Sequence, residues 1–134
     1  MKIHRLKINS SPDCIKTVKN WIDDIAIDYG ICEELYPDIL ISMTEAVNNA
    51  IHHGNRGDES KKISLVCRVK ERKIKFEVID EGEGFNPDDI PDPRSSEKIE
   101  TENGRGVFIM KSLASKVKFK RKGSKVEITF KYKR

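Results

Sequence analysis

Three stretches hold residue types from which a reaction centre can be built. The first carries Glu45 and Asn49, four positions apart. A helix turns about 100° per residue, so these two stack on one side, with His52 beside them. A carboxylate and a carboxamide oxygen one turn apart can divide a task. One holds a hard cation such as Mg²⁺, which prefers oxygen ligands; the other accepts a proton from an attacking hydroxyl or water. Taken alone, Glu-x-x-x-Asn equally describes the solvated face of an amphipathic helix. His53 follows, near the helix end, where the dipole by itself favours a cation.

The second stretch is Asp80-Glu81-Gly82-Glu83-Gly84. It follows a run of strand character, so Asp80 stands at a strand end. Two alternating glycines let the backbone turn sharply and approach a ligand. A carboxylate there can accept a hydrogen bond from the exocyclic amine of adenine, although an acidic turn has the same composition. No helix opens directly after it, which excludes a dinucleotide fingerprint. The third stretch is Gly104-Arg105-Gly106-Val107. Glycines at a helix start leave N–H groups open to phosphate, and Arg105 adds a planar fork of donors. The same residues also suit a hinge leading into a core helix. The spacing is not that of a Walker-type P-loop.

These stretches need elements to position them. Residues 3–8 have strand character. Ser11-Pro12-Asp13 signals a helix start, and Ile15, Val18, Trp21, Ile22, Ile25 and Ala26 recur at helical spacing up to Gly30. A second helix is predicted from about Asp38 to His53. Its apolar face is Ile39, Met43, Ala46, Val47 and Ala50, and Gly54 is its C′ residue. Glu45 and Asn49 then lie on the opposite side. Alternation predicts strands over 62–69 and 73–80, joined by a short antiparallel connection through Glu71 and Arg72. Residues 81–103 show no apolar period. Such a stretch in a small protein is often a functional lid. A third helix begins near Gly104, and two strands, about 116–121 and 125–133, close the chain around Gly123-Ser124. The order β-α-α-β-β-loop-α-β-β predicts an α+β, two-layer sandwich: a mostly antiparallel mixed sheet with three helices on one face.

Length and composition agree. The 134 residues make one domain, 1–134. Charged residues are 36% of the chain, but the 37% that are hydrophobic recur periodically, so a disordered chain is not expected. No apolar run approaches a membrane span, and the N-terminus has no signal-peptide core. Cys14, Cys32 and Cys67 are odd in number and far apart, which fits a reducing cytoplasm rather than a disulfide framework. The net charge of +4 is uneven. Residues 116–134 carry nine Lys or Arg and one acid, Glu127. There the basic residues alternate with Val117, Phe119, Val126, Ile128, Phe130 and Tyr132, as on the solvated face of two strands. No stacking aromatics share that face, so neither nucleic acid nor membrane is the expected partner.

Order and spacing together are far more specific than any one stretch. Glu45-Ala46-Val47-Asn48-Asn49-Ala50-Ile51-His52-His53-Gly54, then Asp80-Glu81-Gly82-Glu83-Gly84-Phe85, then Gly104-Arg105-Gly106-Val107-Phe108-Ile109-Met110 resemble the N, G1 and G2 boxes of the GHKL (Bergerat-fold) ATPase/kinase superfamily. In particular they are similar to the anti-sigma-factor serine/threonine kinases. Gly123-Ser124 is similar to a Gly-Thr pair that closes the nucleotide pocket there, with Ser in place of the commoner Thr. The resemblance spans residues 3 to 132.

The resemblance implies ATP and Mg²⁺ as cofactors. Asn49 would ligand Mg²⁺ and Glu45 would be the general base toward a protein hydroxyl. Asp80 would read adenine, with Gly82 and Gly84 at the pocket floor. Residues 86–103 would form the lid, and Gly104, Arg105, Gly106 and Val107 would meet the phosphates, with His53 and Ser124 also at the pocket. The implied function is an ATP-dependent kinase that sequesters a sigma factor and phosphorylates an anti-anti-sigma antagonist, as a homodimer. An ATP-gated binding switch without kinase activity uses most of the same groups. A histidine kinase needs a helical phosphoacceptor segment, whereas the residues before Glu45 are used by one strand and one helix.

Overall fold

The computed structural model describes residues 1–82 and 102–132, with the side chains of 102–104 left aside. In chain order the elements are β1 (Lys2–Asn9), α1 (Cys14–Tyr29), α2 (Tyr36–Asn49), a π-helical turn (Ala50–Gly54), β2 (Lys62–Val69), β3 (Lys73–Ile79), α3 (Glu102–Leu113), β4 (Lys116–Lys120), a 3₁₀ turn (Arg121–Gly123) and β5 (Lys125–Lys131). The strands form one sheet in the order β1-β2-β3-β5-β4. Each neighbouring pair is antiparallel. Two of the strand connections are hairpins, β2–β3 and β4–β5. The β3–β5 pairing joins segments far apart in sequence and welds the two halves into one sheet.

Alternation assigns the two faces of the sheet. One face carries Ile63, Leu65, Cys67, Ile74, Phe76, Val78, Val126, Ile128 and Phe130, all buried in a single cluster with residues of α1, α2 and α3. The three helices therefore cover one face, as the sequence predicts. From α1 come Val18, Ile22 and Ile25, at spacings of four and three, so one stripe meets the sheet. Trp21 packs edge-on against Phe76, which packs edge-on against Phe130, with ring centres 6.1 and 6.3 Å apart. Each such buried side chain contributes about 1.5–3 kcal/mol by removal from water.

The other face carries no helix among the described residues. Its cross-strand rows are read from the register. One row runs Arg5, Val66, Glu77, Glu127, Lys118. On one side of it lies Arg68, Lys75, Thr129, Lys116; on the other, Ser64, Ile79, Lys125, Lys120. This is the solvated basic face expected from the C-terminal alternation.

Helix ends differ in detail from the sequence expectation. At the N-terminus of α1, the Ser11 hydroxyl accepts the Asp13 N–H at 3.3 Å, and regular helix begins three residues on at Cys14. Gly30 ends α1 in the left-handed conformation, φ 62°, with its N–H bonded back to the last turn. Gly54 is a correction. It is not among the left-handed glycines, which are Gly30, Gly57 and Gly123. A side chain at Gly54 would collide with the Asp80 carboxylate, so it is there for close approach rather than for a helix stop. Regular α-helix gives way at Ala50 to one π turn, a wider coil that recurs at functional sites.

Candidate functional site

The site forms where α2, its π turn, the end of β3, the start of α3 and the β4–β5 turn meet. Glu45 and Asn49 stack one turn apart on α2. The sequence placed that side of α2 away from the core, and here the structure differs. Asn49 is buried and Glu45 half-buried, because α3 packs across them. A Cβ on Gly106 would stand 2.9 Å from Glu45 Oε2, 3.3 Å from Asn49 Nδ2 and 3.4 Å from Asn49 Oδ1. Only glycine lets the first turns of α3 come this near both polar groups. The buried Asn49 Nδ2 has no hydrogen-bond partner among the described residues. A buried amide left unpaired costs about 1–3 kcal/mol, so this group calls for a further partner.

Asp80 follows β3. Its N–H donates to the Ser124 carbonyl at 2.9 Å, which ties the strand end to the β4–β5 turn. Its Oδ1 accepts the Gly82 N–H at 2.8 Å, and its Oδ2 abuts Gly54. Burial pushes the Asp80 carboxyl above the usual carboxylate range; the Gly82 N–H and the Lys61 charge oppose that push. A side chain at Gly82 would collide with the Gly54 backbone. The π turn and the Asp80–Gly82 turn are thus pressed together, glycine against glycine.

Sequence reasoning missed Asn55, the residue that holds those two turns in place. It is completely buried. Its backbone N–H donates to Ala50 O at 2.8 Å, its Nδ2 to Lys62 O at 3.2 Å, and its Oδ1 accepts the Glu81 N–H at 2.9 Å. In sequence it reads as one more polar residue of a turn. Its only signal is its place directly after Gly54. Glu81 adds a second tie, accepting the Lys62 N–H.

The remaining expected residues are distributed as follows. Arg105 is exposed near the start of α3 and Gly104 lies in the same helix. Val107 is buried in the core. Ser124 is buried and its hydroxyl donates to Arg121 O at 2.9 Å. His53 is exposed on the π turn. Gly84 and most of the stretch 86–103 lie outside the described residues. Asn49, Asp80 and Gly123 line a cavity of about 20 Å³ together with Ala46, Ala50, Val78, Met110, Phe119 and Val126. That is room for about one water, far less than an adenine base. No group of three His, Cys, Asp or Glu among the described residues could hold a metal ion. The donor set nevertheless suits Mg²⁺, which binds through one or two protein oxygens and substrate phosphates. The Asn49 carboxamide oxygen could take that place, with the Glu45 carboxylate one turn away left free for a proton.

Comparison with known proteins agrees with this geometry. A family model described as the histidine kinase-like ATPase domain matches residues 8–131. A serine-protein kinase RsbW from Oceanobacillus iheyensis is 25% identical over 119 residues, covering 84% of this chain and 75% of the relative. An RsbW of Bacillus subtilis is 24% identical over 119 residues, covering 84% and 74%. Among solved structures, the RsbU and RsbW domains of Rv1364c from Mycobacterium tuberculosis share the fold, with a TM-score of 0.68 at 16% identity. That match covers 99% of this chain and 32% of the longer one. The chain belongs to the histidine kinase-like ATPase domain family, within the GHKL superfamily, and is related to the anti-sigma-factor serine/threonine kinases.

Proposed function

We propose that this protein is an ATP-dependent protein serine/threonine kinase. In this reading it acts in the cytoplasm as an anti-sigma factor, as a homodimer, and phosphorylates an anti-anti-sigma antagonist. The observation that carries the reading is the meeting of Glu45 and Asn49 at Gly106. It sets a carboxylate and an unpaired buried amide side by side at the first turns of a glycine-bearing helix.

The roles follow from chemistry. Asp80 keeps Oδ2 for the exocyclic amine of adenine, since Oδ1 already accepts the Gly82 N–H. Gly82 and Gly84 shape the pocket floor, and Ser124 and His53 stand at its rim. The open N–H groups of the first turn of α3, Gly104 among them, and the Arg105 guanidinium would face the phosphates; the sequence also offered Gly106 and Val107, but with α3 starting at Glu102 their N–H groups lie inside the helix, and they act by close packing. Asn49 would hold Mg²⁺ through its carboxamide oxygen. Bound there, the ion would neutralise charge on the β- and γ-phosphates. Glu45 accepts the proton of a serine or threonine hydroxyl as its oxygen bonds to the γ-phosphorus. The bond from that phosphorus to the ADP oxygen breaks, and ADP leaves with its electron pair.

Glu45→Ala tests the assignment. Transfer should fall by about 10²–10⁴, while ATP affinity stays within about twofold. Transfer at the wild-type rate would remove Glu45 from the mechanism. A second reading, an ATP-gated binding switch without transfer, is favoured by the small cavity. Admitting adenine to that cavity would take a rearrangement of its lining, and such a shift could itself gate a partner. Partner binding that requires ATP and yields no phosphorylated product would select it.

A further inference from the structure

We propose that the open face of the sheet, on the side away from the nucleotide-site helices, docks an extended acidic segment of a partner protein. The inference stands apart from the kinase reading, because it uses none of the residues placed around Glu45 and Asp80.

The charge on this face is organised. Glu77 and Glu127 lie directly opposite each other on β3 and β5 and are buried. Two carboxylates so placed repel unless compensated. Glu77 is met by Arg68 at 3.5 Å and Lys125 at 3.3 Å. Glu127 is met by Lys75 at 3.5 Å and Lys120 at 3.1 Å. Those cations are committed to the acids. Lys73, Lys116 and Lys118 have no acidic partner among the described residues, and all three are exposed. They stand beside Lys75 around a cleft and a smaller recess of about 100 Å³, lined by Lys75, Lys116, Lys118, Glu127 and Thr129. The neighbouring Lys118 ammonium, with Lys73 and Lys75 behind it, pushes Lys116 below the usual lysine range. The cations here repel one another, which an anionic partner would relieve.

Protection of a sheet edge explains only part of this pattern. Lysines on an edge strand discourage unwanted pairing, and β4 is an edge. Lys73 and Lys75, however, lie on β3, in the middle of the sheet. The spacing also favours a particular occupant. Lys116 and Lys118, both uncommitted, are two residues apart on one strand, about 6.6–6.8 Å along the strand axis. An extended peptide with an acid at every second position repeats at the same interval. Single-stranded nucleic acid is disfavoured because the face offers no aromatic platform. A duplex lying across the sheet would bring its phosphates over Glu77 and Glu127. A second copy of this chain would bring the same cations.

The test uses a fluorescein-labelled peptide of alternating glutamate and serine, with binding read by anisotropy on the full chain at low salt. Duplex DNA and phosphatidylglycerol vesicles of matched charge serve as competitors. The triple variant Lys73→Glu, Lys116→Glu, Lys118→Glu should weaken peptide binding at least about tenfold, the loss expected for about one and a half kcal/mol. A triple variant of equal net charge, Lys2→Glu, Lys16→Glu, Lys111→Glu, alters exposed lysines elsewhere and should change it less than about threefold. Unchanged thermal midpoints would show that both variants fold. No peptide binding by the wild type, equal losses in the two variants, or tighter binding of DNA or vesicles would each overturn the proposal.

Discussion

Asp80 is a carboxylate held where burial works against its charge. Burial raises its folded pKa above the unfolded value. Between those two values the folded state binds the proton more tightly, so stability falls as pH rises through that window. At neutral pH the ionised carboxylate is therefore a net burden on the fold. Asp80→Asn should raise the thermal midpoint at pH 7, with the gain shrinking as pH falls below the unfolded value. The same variant should weaken ATP binding about tenfold or more, because a hydrogen bond to a charged acceptor is lost. Calorimetry across pH and a nucleotide titration check the two halves. Gly106 makes the complementary case. Alanine is the better helix former by about 1 kcal/mol, yet its Cβ would stand 2.9 Å from Glu45 Oε2. Gly106→Ala should therefore push the Glu45 carboxylate aside and lower transfer, while the thermal midpoint changes by less than the helix-propensity gain alone; transfer at the wild-type rate would contradict the packing described for α3.

At the scale of elements, the site depends on turns that are held by few bonds. Asn55 links the π turn, the start of β2 and the Asp80–Gly82 turn through two side-chain hydrogen bonds while completely buried. Asn55→Ala leaves the part-buried Glu81 N–H and Lys62 carbonyl without their side-chain partner and should cost about 1–3 kcal/mol, measured by urea denaturation. ATP affinity should fall further than in a core variant destabilised at least as much, such as Ile22→Ala. Much of the framework was legible before the structure. The alternation in 62–69, 73–80 and 125–133 shows three strands with one apolar face, and the stripe of Val18, Ile22 and Ile25 shows a helix laid on it. The family was legible through the order of the three stretches, and two of them, around Glu45 and Gly106, meet in the fold. What could not be read was long-range. The β3–β5 pairing has no local signature. The burial of Glu45 and Asn49 depends on α3, whose residues lie some sixty positions later. Gly54 looks like a helix stop, but the Asp80 carboxylate it makes room for is set by tertiary packing. The left-handed turn at Arg121 and Lys122, φ 52° and 56°, uses residues that seldom adopt it.

For the whole molecule, one apolar cluster draws on all three helices and the sheet. A single cooperative unfolding transition is expected for one domain of this size. ATP with Mg²⁺ at a hundredfold excess over its dissociation constant should stabilise that transition by about 2.7 kcal/mol. No stabilisation at saturating nucleotide would show that the site does not bind it. The two faces of the sheet differ: the helical side carries the candidate site, and the open side carries the basic field. No helix among the described residues is long and apolar enough to cross a membrane. The central claim, that Glu45 and Asn49 at the start of α3 make a phosphoryl-transfer centre, is tested most directly with γ-labelled ATP. The purified protein, Mg²⁺ and a lysate of its source organism would be incubated and resolved on a gel, with and without acid treatment. The expected result is an acid-stable label on a protein serine or threonine, absent with Glu45→Ala. An acid-labile label, or no label while ATP still binds, would contradict it.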